Sequence, residues 1–164
     1  MNEIEVHIEI SKNSRIKYEF DHENNKLICD RFLHTSFSYP FNYGYIPHTL
    51  SEDGDPLDAV VLCGMELVPN CYINCKIIGV LVTEDEKGRD DKLILVPSNN
   101  IDPKSKLINN IDDLDYLVKE QINHFFKHYK DLEPNKWIKI NGYLGVEDAI
   151  KIFNTSKMTY LSKI

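Results

Sequence analysis

The hydrophobic pattern of this 164-residue chain changes once, at Pro97, and this change constrains the fold more than any other feature. Before it, residues 4–10 and 16–20 alternate apolar with polar side chains, which is the period of half-buried strands. The nearly continuous apolar runs at 57–63 and 75–83 predict buried strands. Shorter strand candidates are residues 27–33 and 93–96.

After Pro97 the pattern becomes mostly helical. Apolar side chains recur at helical spacing from residue 114 to 129, and Asp112 is the expected N-cap of this helix. Residues 137–140 predict a last strand, and residues 146–153 predict a closing helix. Strands followed mainly by helices predict an α+β protein, an antiparallel β-barrel or sandwich with helices packed outside it.

Length and composition predict one domain over residues 1–164, because 42% hydrophobic content supplies enough apolar surface for a core. The apolar runs are shorter than a bilayer span and no signal-peptide pattern opens the chain, so we expect a cytoplasmic protein with reduced cysteines. The formal charge of −7 disfavours binding to nucleic acid or to anionic membranes, both of which need clustered Lys and Arg.

Three aspartates fall within the six residues DGDPLD, at positions 53–58. In extended backbone, residues two apart face the same way, so Asp53 and Asp55 are expected to converge, and Gly54 and Pro56 to turn Asp58 toward them. Crowded carboxylates either take up protons or bind a cation, and oxygen ligands suit Mg²⁺, Mn²⁺ or Ca²⁺. A plain surface turn is the alternative interpretation.

The stretch DEKGRDDK, residues 85–92, contains a second acidic group around a glycine turn. By itself it is an ordinary hairpin tip. Together with DGDPLD it offers enough oxygen ligands for a pair of metal ions of the kind used in phosphoryl hydrolysis. An EF-hand is excluded, since Asp58 and Gly64 stand where that calcium loop needs glycine and glutamate.

Basic and aromatic side chains are the remaining candidates. An anionic substrate held by a metal on one side needs cations on the other. Singly, each basic candidate is compatible with solvated surface; they are Lys17, Arg31, Lys92, Lys130 and Lys136. The alternating aromatics of FSYPFNYGY, residues 37–45, fit either stacking on single-stranded nucleic acid or core packing. Core packing is favoured because no Lys or Arg occurs between Arg31 and Lys76.

Nearly the whole chain resembles the soluble family I inorganic pyrophosphatases of bacterial type. DGDPLDA fits the family signature D-x-D-P-x-D-x at every constrained position, and IKYEF, DRF, YPFNYGYIPHT, GVL, DEKGRDDK and HFFKHYKDLE occur in family order. The resemblance implies a five-stranded OB-like antiparallel β-barrel with flanking helices. It also implies hydrolysis of pyrophosphate to two phosphates with Mg²⁺, or with Mn²⁺ or another divalent ion in its place.

The resemblance assigns roles to individual residues. It implies that Asp55 is the general base, activating a metal-bridging water that attacks phosphorus. Implied metal ligands are Asp53, Asp58, Asp85 and Asp90. Implied phosphate-binding residues are Lys17, Arg31, Tyr43, Lys92, Tyr129 and Lys130. An outer acidic and hydrogen-bonding shell is implied at Glu9, Glu19, Tyr39 and Glu86.

Relatives of this type commonly form hexamers, so a homo-oligomer is expected, with a hexamer favoured. His124 and His128 lie four residues apart on the expected helix; a metal pair there lacks a visible third ligand, and a core or subunit contact is the favoured interpretation. Two other classes stay open at this point: a catalytically silent metal-binding or assembly protein, and an OB-type nucleic-acid binder, which the acidic charge opposes.

Overall fold

The computed structural model describes residues 3–164, which form nine strands and two α-helices. The strands are β1 (Glu3–Ile10), β2 (Ile16–Asp21), β3 (Lys26–Phe32), β4 (Asn42–Tyr45), β5 (Asp58–Val61), β6 (Tyr72–Asp85), β7 (Gly88–Arg89), β8 (Lys92–Pro97) and β9 (Ile138–Leu144). The helices are α1 (Tyr116–His128) and α2 (Val146–Ser162), and short 3₁₀ turns occupy Pro103–Leu107 and Ile111–Asp113.

Five strands close into a barrel. Strand β1 pairs with β4 on one side and with β6 on the other, and the ring continues from β4 through β5 and β8 back to β6. The α+β fold class with a five-stranded OB-like barrel is therefore confirmed. One pairing within it, β5 with β8, is parallel, because the long strand β6 carries the chain back across the barrel before β8 begins.

Strand β8 is buried on both of its faces, which is the reason that its apolar residues form a continuous run in the sequence. Its side chains alternate between two hydrophobic clusters, so both faces of the strand are covered. Leu93 and Leu95 pack in the cluster that includes Ala149 of α2. Ile94 and Val96 pack in the cluster that includes Phe126 of α1. The barrel wall is thus covered by helices on two sides, which fixes where polar side chains can emerge.

Two sequence-based boundaries were wrong. The main helix begins at Tyr116 rather than after Asp112, because Asn110 and Asp113 form a capping box that closes a separate 3₁₀ turn first. Strand β9 does not stop near residue 140 but runs to Leu144, since Gly142 adopts a positive φ of 112° where the register against β6 shifts. Within the aromatic run, Asn42–Tyr45 forms β4, a strand the sequence pattern did not single out.

No helix within residues 3–164 is both long and apolar enough to cross a membrane.

Candidate active site

All fifteen side chains selected by the resemblance line one cleft of about 280 Å³. They come from the strands of the barrel, the β2–β3 hairpin, the aspartate loop, the turn after β6 and the end of α1. The volume lies just below the usual range for drug-sized ligands, so the cleft suits a small molecule. The convergence is a property of the fold; the roles of the individual residues stay predictions.

The aspartate loop is a hydrogen-bonded turn, not the extended segment expected from its sequence. The Asp53 carboxylate accepts a hydrogen bond from the backbone N–H of Asp55 at 3.0 Å, and Ser51 N–H donates to the Asp55 carbonyl at 2.8 Å. Gly54 has a φ of 88°, a conformation that glycine adopts without strain. The three aspartates still face the cleft, because buried Leu57 anchors the loop where β5 begins.

Lys92 lies at the centre of the cleft wall, with a side chain only 3% exposed. Its ammonium is 3.0 Å from a carboxylate oxygen of Asp58, 3.0 Å from one of Asp90, and 2.9 Å from the Tyr43 hydroxyl. The same ammonium lies 4.9 Å from the centre of the Phe126 ring. This arrangement holds one positive charge between two of the predicted metal ligands.

The charges around Lys92 shift each other's pKa. Burial raises the pKa of Asp58 to about 7, and the charge of Asp90 acts in the same direction against the lowering effect of Lys92. For Asp90 burial is the largest single effect and acts to raise the pKa, but the charge of Lys92, hydrogen bonds with Asp58 and Lys92, and the charge of Lys130 together lower the pKa of that carboxyl. Burial alone would depress the pKa of Lys92, but Asp58 and Asp90 hold it well above its usual value. Lys92 therefore stays an ammonium at neutral pH.

The acidic side chains of the segment 85–92 do not all face the cleft. Asp85 accepts a hydrogen bond from Lys87 N–H at 2.9 Å and lies 4.0 Å from the Lys130 ammonium, while Glu86 lies 3.8 Å from Lys136. Both acidic side chains line the cleft. Asp91 does not, because its carboxylate is paired with the Arg89 guanidinium at 2.9 Å.

The carboxylates of the cleft carry more negative charge than its cations neutralise locally. Burial, with the charges of Asp90, Asp55 and Asp85, raises the pKa of Asp53. Burial also raises the pKa of Glu9 to about 8, although its carboxylate accepts a hydrogen bond from Phe20 N–H at 2.8 Å. Burial is the main cause of both raised pKa values, neighbouring carboxylates add to it, and a bound cation would favour the charged forms.

The donor set fits a hard divalent ion by its chemistry, since it consists of carboxylate oxygens. Among residues 3–164, no three His, Cys, Asp or Glu side chains converge on a single ligation point. Asp58 and Asp90 instead share the Lys92 ammonium. The fit thus rests on ligand type and on the crowded negative charge.

The β2–β3 hairpin forms a separate two-stranded sheet that contributes cations to the cleft. The Lys17 ammonium lies 3.2 Å from Glu19 and 3.8 Å from Asp30, and Arg31 bonds Asp30 at 2.6 Å. Each predicted phosphate-binding cation of the hairpin is therefore held by a carboxylate neighbour. Exposure of 22% for both cationic side chains leaves them accessible from the cleft.

Several cleft residues were not predicted. His22, Asp30, Tyr45, Lys87 and Phe126 also line it. Asp30 stands next to Arg31 in the motif DRF, which is a sequence signal for an ion pair. Tyr45, Lys87 and Phe126 also stand within motifs that carry the resemblance, so the signal was present and was not used. His22 lies outside those motifs. Lys136, considered in sequence as one of five cations, does line the cleft.

The packing of the side chains decides between the alternative interpretations of the aromatic run and of the histidine pair. Tyr39 and Phe41 are fully buried against Phe125, as core packing predicts. The His124 ring packs on Phe37 with ring centres 5.5 Å apart. His128 bonds Asp131 through Nδ1 at 2.7 Å.

Comparison with known proteins gives consistent matches over most of the chain. A family profile described as "Inorganic pyrophosphatase" matches residues 6–161. The inorganic pyrophosphatase of Saccharolobus solfataricus is 51% identical over 148 residues, covering 90% of this chain and 86% of the relative. The solved inorganic pyrophosphatase of Helicobacter pylori superimposes with a TM-score of 0.96 at 45% identity, covering 98% and 94% of the two chains. That of Thermus thermophilus gives 0.94 at 37% identity, covering 98% and 92%.

Proposed function

Since the chain belongs to the inorganic pyrophosphatase family, we propose that this cleft hydrolyses inorganic pyrophosphate to two phosphates, with Mg²⁺ as the cation and Asp55 as the general base. The predicted family and the predicted enzymatic activity are confirmed by these relationships. The observation that supports the assignment of the reaction to the cleft is the convergence of all fifteen selected side chains on it.

In this proposal, the chain's own cations bind the substrate. Lys17 and Arg31 approach from the hairpin, and Lys92 and Lys130 from the barrel and the end of α1. Because these cations line one small cleft, pyrophosphate oxygens bind where several positive charges act together, and the charge that develops during phosphoryl transfer is stabilised in place. The Tyr43 hydroxyl, 2.9 Å from Lys92, helps to fix that ammonium.

Asp55 is the residue best placed to accept a proton. It is exposed in the cleft, and no side-chain or backbone group among residues 3–164 donates a hydrogen bond to its carboxylate in the recorded contacts. Its backbone N–H donates to the Asp53 carboxylate, which holds the Asp55 backbone at the cleft. Asp55 therefore takes the proton of the attacking water, and one phosphate leaves as the phosphorus–oxygen bond breaks.

Asp53, Asp58, Asp85 and Asp90 would hold the divalent ion, Mg²⁺ or in its place Mn²⁺. When bound, such an ion supplies Lewis-acid chemistry, neutralising phosphate oxygens and lowering the pKa of a bound water from about 15.7 toward about 7. This role explains why a chain of net charge −7 acts on an anion: the carboxylates bind the cations that accompany it.

The decisive experiment measures phosphate release from pyrophosphate with Mg²⁺ and again with excess EDTA. We expect turnover that stops on chelation and returns when Mg²⁺ is restored. Absence of turnover in the presence of Mg²⁺ and Mn²⁺ would favour the catalytically silent class considered from the sequence. Turnover insensitive to EDTA would contradict the metal assignment.

We further propose that the protein is a homo-oligomer, a hexamer being favoured, and that it works in the cytoplasm. Large apolar side chains left exposed on one copy support the oligomer, among them Leu107, Tyr116 and Ile164, which are 84%, 75% and 85% exposed. Light scattering coupled to size-exclusion chromatography measures the mass in solution. A monomer at micromolar concentration would contradict the proposal.

A further inference from the structure

Glu133 lies just behind the cleft, in the turn that follows α1. Its backbone N–H donates to the Lys130 carbonyl at 2.9 Å, so the position of Glu133 is tied to the turn that carries Tyr129 and Lys130. Its side chain is only 5% exposed. The proposed function gives Glu133 no role, yet the residue is a carboxylate removed from water beside the substrate site.

The buried carboxylate contacts one cleft cation. Glu133 Oε1 lies 3.0 Å from Nε of Arg31, and the Asp30 carboxylate bonds a different nitrogen of the same guanidinium, Nη1, at 2.6 Å. The Arg31 Nε–H is not aligned for a hydrogen bond, so the Glu133 contact is an ion pair. Within residues 3–164, Nη2 of Arg31 has no recorded ion pair. Two carboxylates thus hold the guanidinium at Nε and Nη1 and leave the Nη2 donor available.

The second carboxylate oxygen of Glu133 adds an unfavourable contribution to the free energy of folding. Oε2 is buried and has no hydrogen-bond partner among the described residues. A buried polar atom without a partner carries a desolvation cost, which is larger when the group is charged, whereas an apolar side chain of similar size avoids that cost. Within residues 3–164, the ion pair that Glu133 makes in return for this cost is the contact of Oε1 with Arg31.

We propose that Glu133 is a positioning residue for pyrophosphate hydrolysis: it fixes the guanidinium plane of Arg31 so that the unpaired Nη2 donor faces the substrate. The effect follows from the geometry of arginine, whose planar fork recognises phosphate oxygens only when correctly oriented. Glu133 also links the β2–β3 hairpin, which carries Arg31, to the turn that carries Lys130. The inference rests on the proposed function, since it assigns Arg31 to the substrate.

A double-mutant cycle tests this proposal. Steady-state kcat and KM for magnesium pyrophosphate are measured for the wild type, Glu133→Gln, Arg31→Ala and the double variant. Glutamine keeps the size of the side chain and removes the charge. We expect Glu133→Gln to raise KM about 10-fold with kcat within about 3-fold, as for loss of one charge-assisted contact to a binding group. In the Arg31→Ala background the same change should alter kcat/KM less than about 2-fold.

Independent effects that multiply in the double variant would overturn the proposal, because Glu133 would then act without Arg31. A Glu133→Gln enzyme with unchanged kcat and KM would overturn it as well. Glu66→Gln is the matched control: Glu66 is exposed, bonds only Asn13 in the recorded contacts, and should leave both constants unchanged.

If Glu133→Gln does not fold, as judged by circular dichroism, Glu133→Asp replaces it in the cycle. Aspartate keeps the charge but is one methylene shorter, so it should raise KM through Arg31 in the same way, and an unchanged KM would contradict the mechanism. The proposed function fails separately: a wild type without phosphate release refutes hydrolysis itself, whereas an active wild type with a non-interacting cycle refutes only the role of Glu133.

Discussion

Replacing Glu9 by glutamine should stabilise the metal-free protein at alkaline pH and not at acid pH. Glu9 lies in the cleft wall on β1, where burial raises its pKa to about 8 against an ordinary value of 4.5. The folded state therefore keeps a proton that the unfolded chain releases. Folding stability from this group is fully present below pH 4.5 and is lost as the pH rises through 8.

The two pKa values set the size of the effect. Each pH unit between them corresponds to about 1.4 kcal/mol, so the wild type should lose about 4 kcal/mol from this group between pH 5 and pH 9. Glutamine does not ionise and still offers a carbonyl oxygen to the Phe20 N–H, which Glu9 binds at 2.8 Å. The variant should be more stable than the wild type by an amount that grows across this interval.

Urea denaturation in EDTA at pH 5, 7 and 9 measures the difference. Glu66→Gln removes an equal charge from an exposed position and should change the free energy of unfolding by less than about 0.5 kcal/mol at each pH. A Glu9→Gln advantage that is the same at pH 5 and pH 9, within about 1 kcal/mol, would refute the claim that Glu9 is buried in protonated form.

Other substitutions test separate parts of the molecule. Asp55→Asn should lower kcat by about 10²–10⁴-fold while retaining pyrophosphate binding by calorimetry, since a general base is lost; near-normal turnover would remove Asp55 from the mechanism. Lys92→Met should destabilise the protein by about 3–5 kcal/mol at pH 8 in urea denaturation, because Asp58 and Asp90 lose their shared ammonium. An unchanged urea midpoint would show that these two ion pairs do not contribute to the free energy of unfolding. Gly79→Ala should lower the melting temperature, because a Cβ there would lie 2.9 Å from the Leu144 carbonyl oxygen, and a cost below about 1 kcal/mol would mean that the backbone moves freely.

The acidic charge and the anionic substrate are reconciled by where the charges lie. Carboxylates and ammonium groups are mixed within one small cleft, as the contacts of Lys92 with Asp58 and Asp90 illustrate. The cations there face the same space as the predicted metal ligands. The net charge of the whole chain therefore gives no information about the sign of the charge that one small site binds.

The sequence by itself determined the strand-then-helix order, because the apolar periods of β1, β2, β6 and β8 are local properties of the chain. It also identified the family through DGDPLDA and the accompanying motifs, and with the family the candidate residues of the cleft. The boundaries predicted from the sequence were wrong where two local patterns overlap. The capping box at Asn110–Asp113 moves the start of the helix to a later residue, and the conformation of Gly142 lets β9 continue beyond its expected end.

Only the tertiary structure decided which charges neutralise which. Lys92 meets Asp58 across 34 positions of sequence, and Arg31 meets Glu133 from the far end of α1. Such pairings depend on barrel closure and helix packing, and no local period records them. Burial strengthens each ion pair, but the partners of each pair are brought together by the tertiary fold. The sequence could therefore identify the candidate residues, and it could not predict which of them form ion pairs.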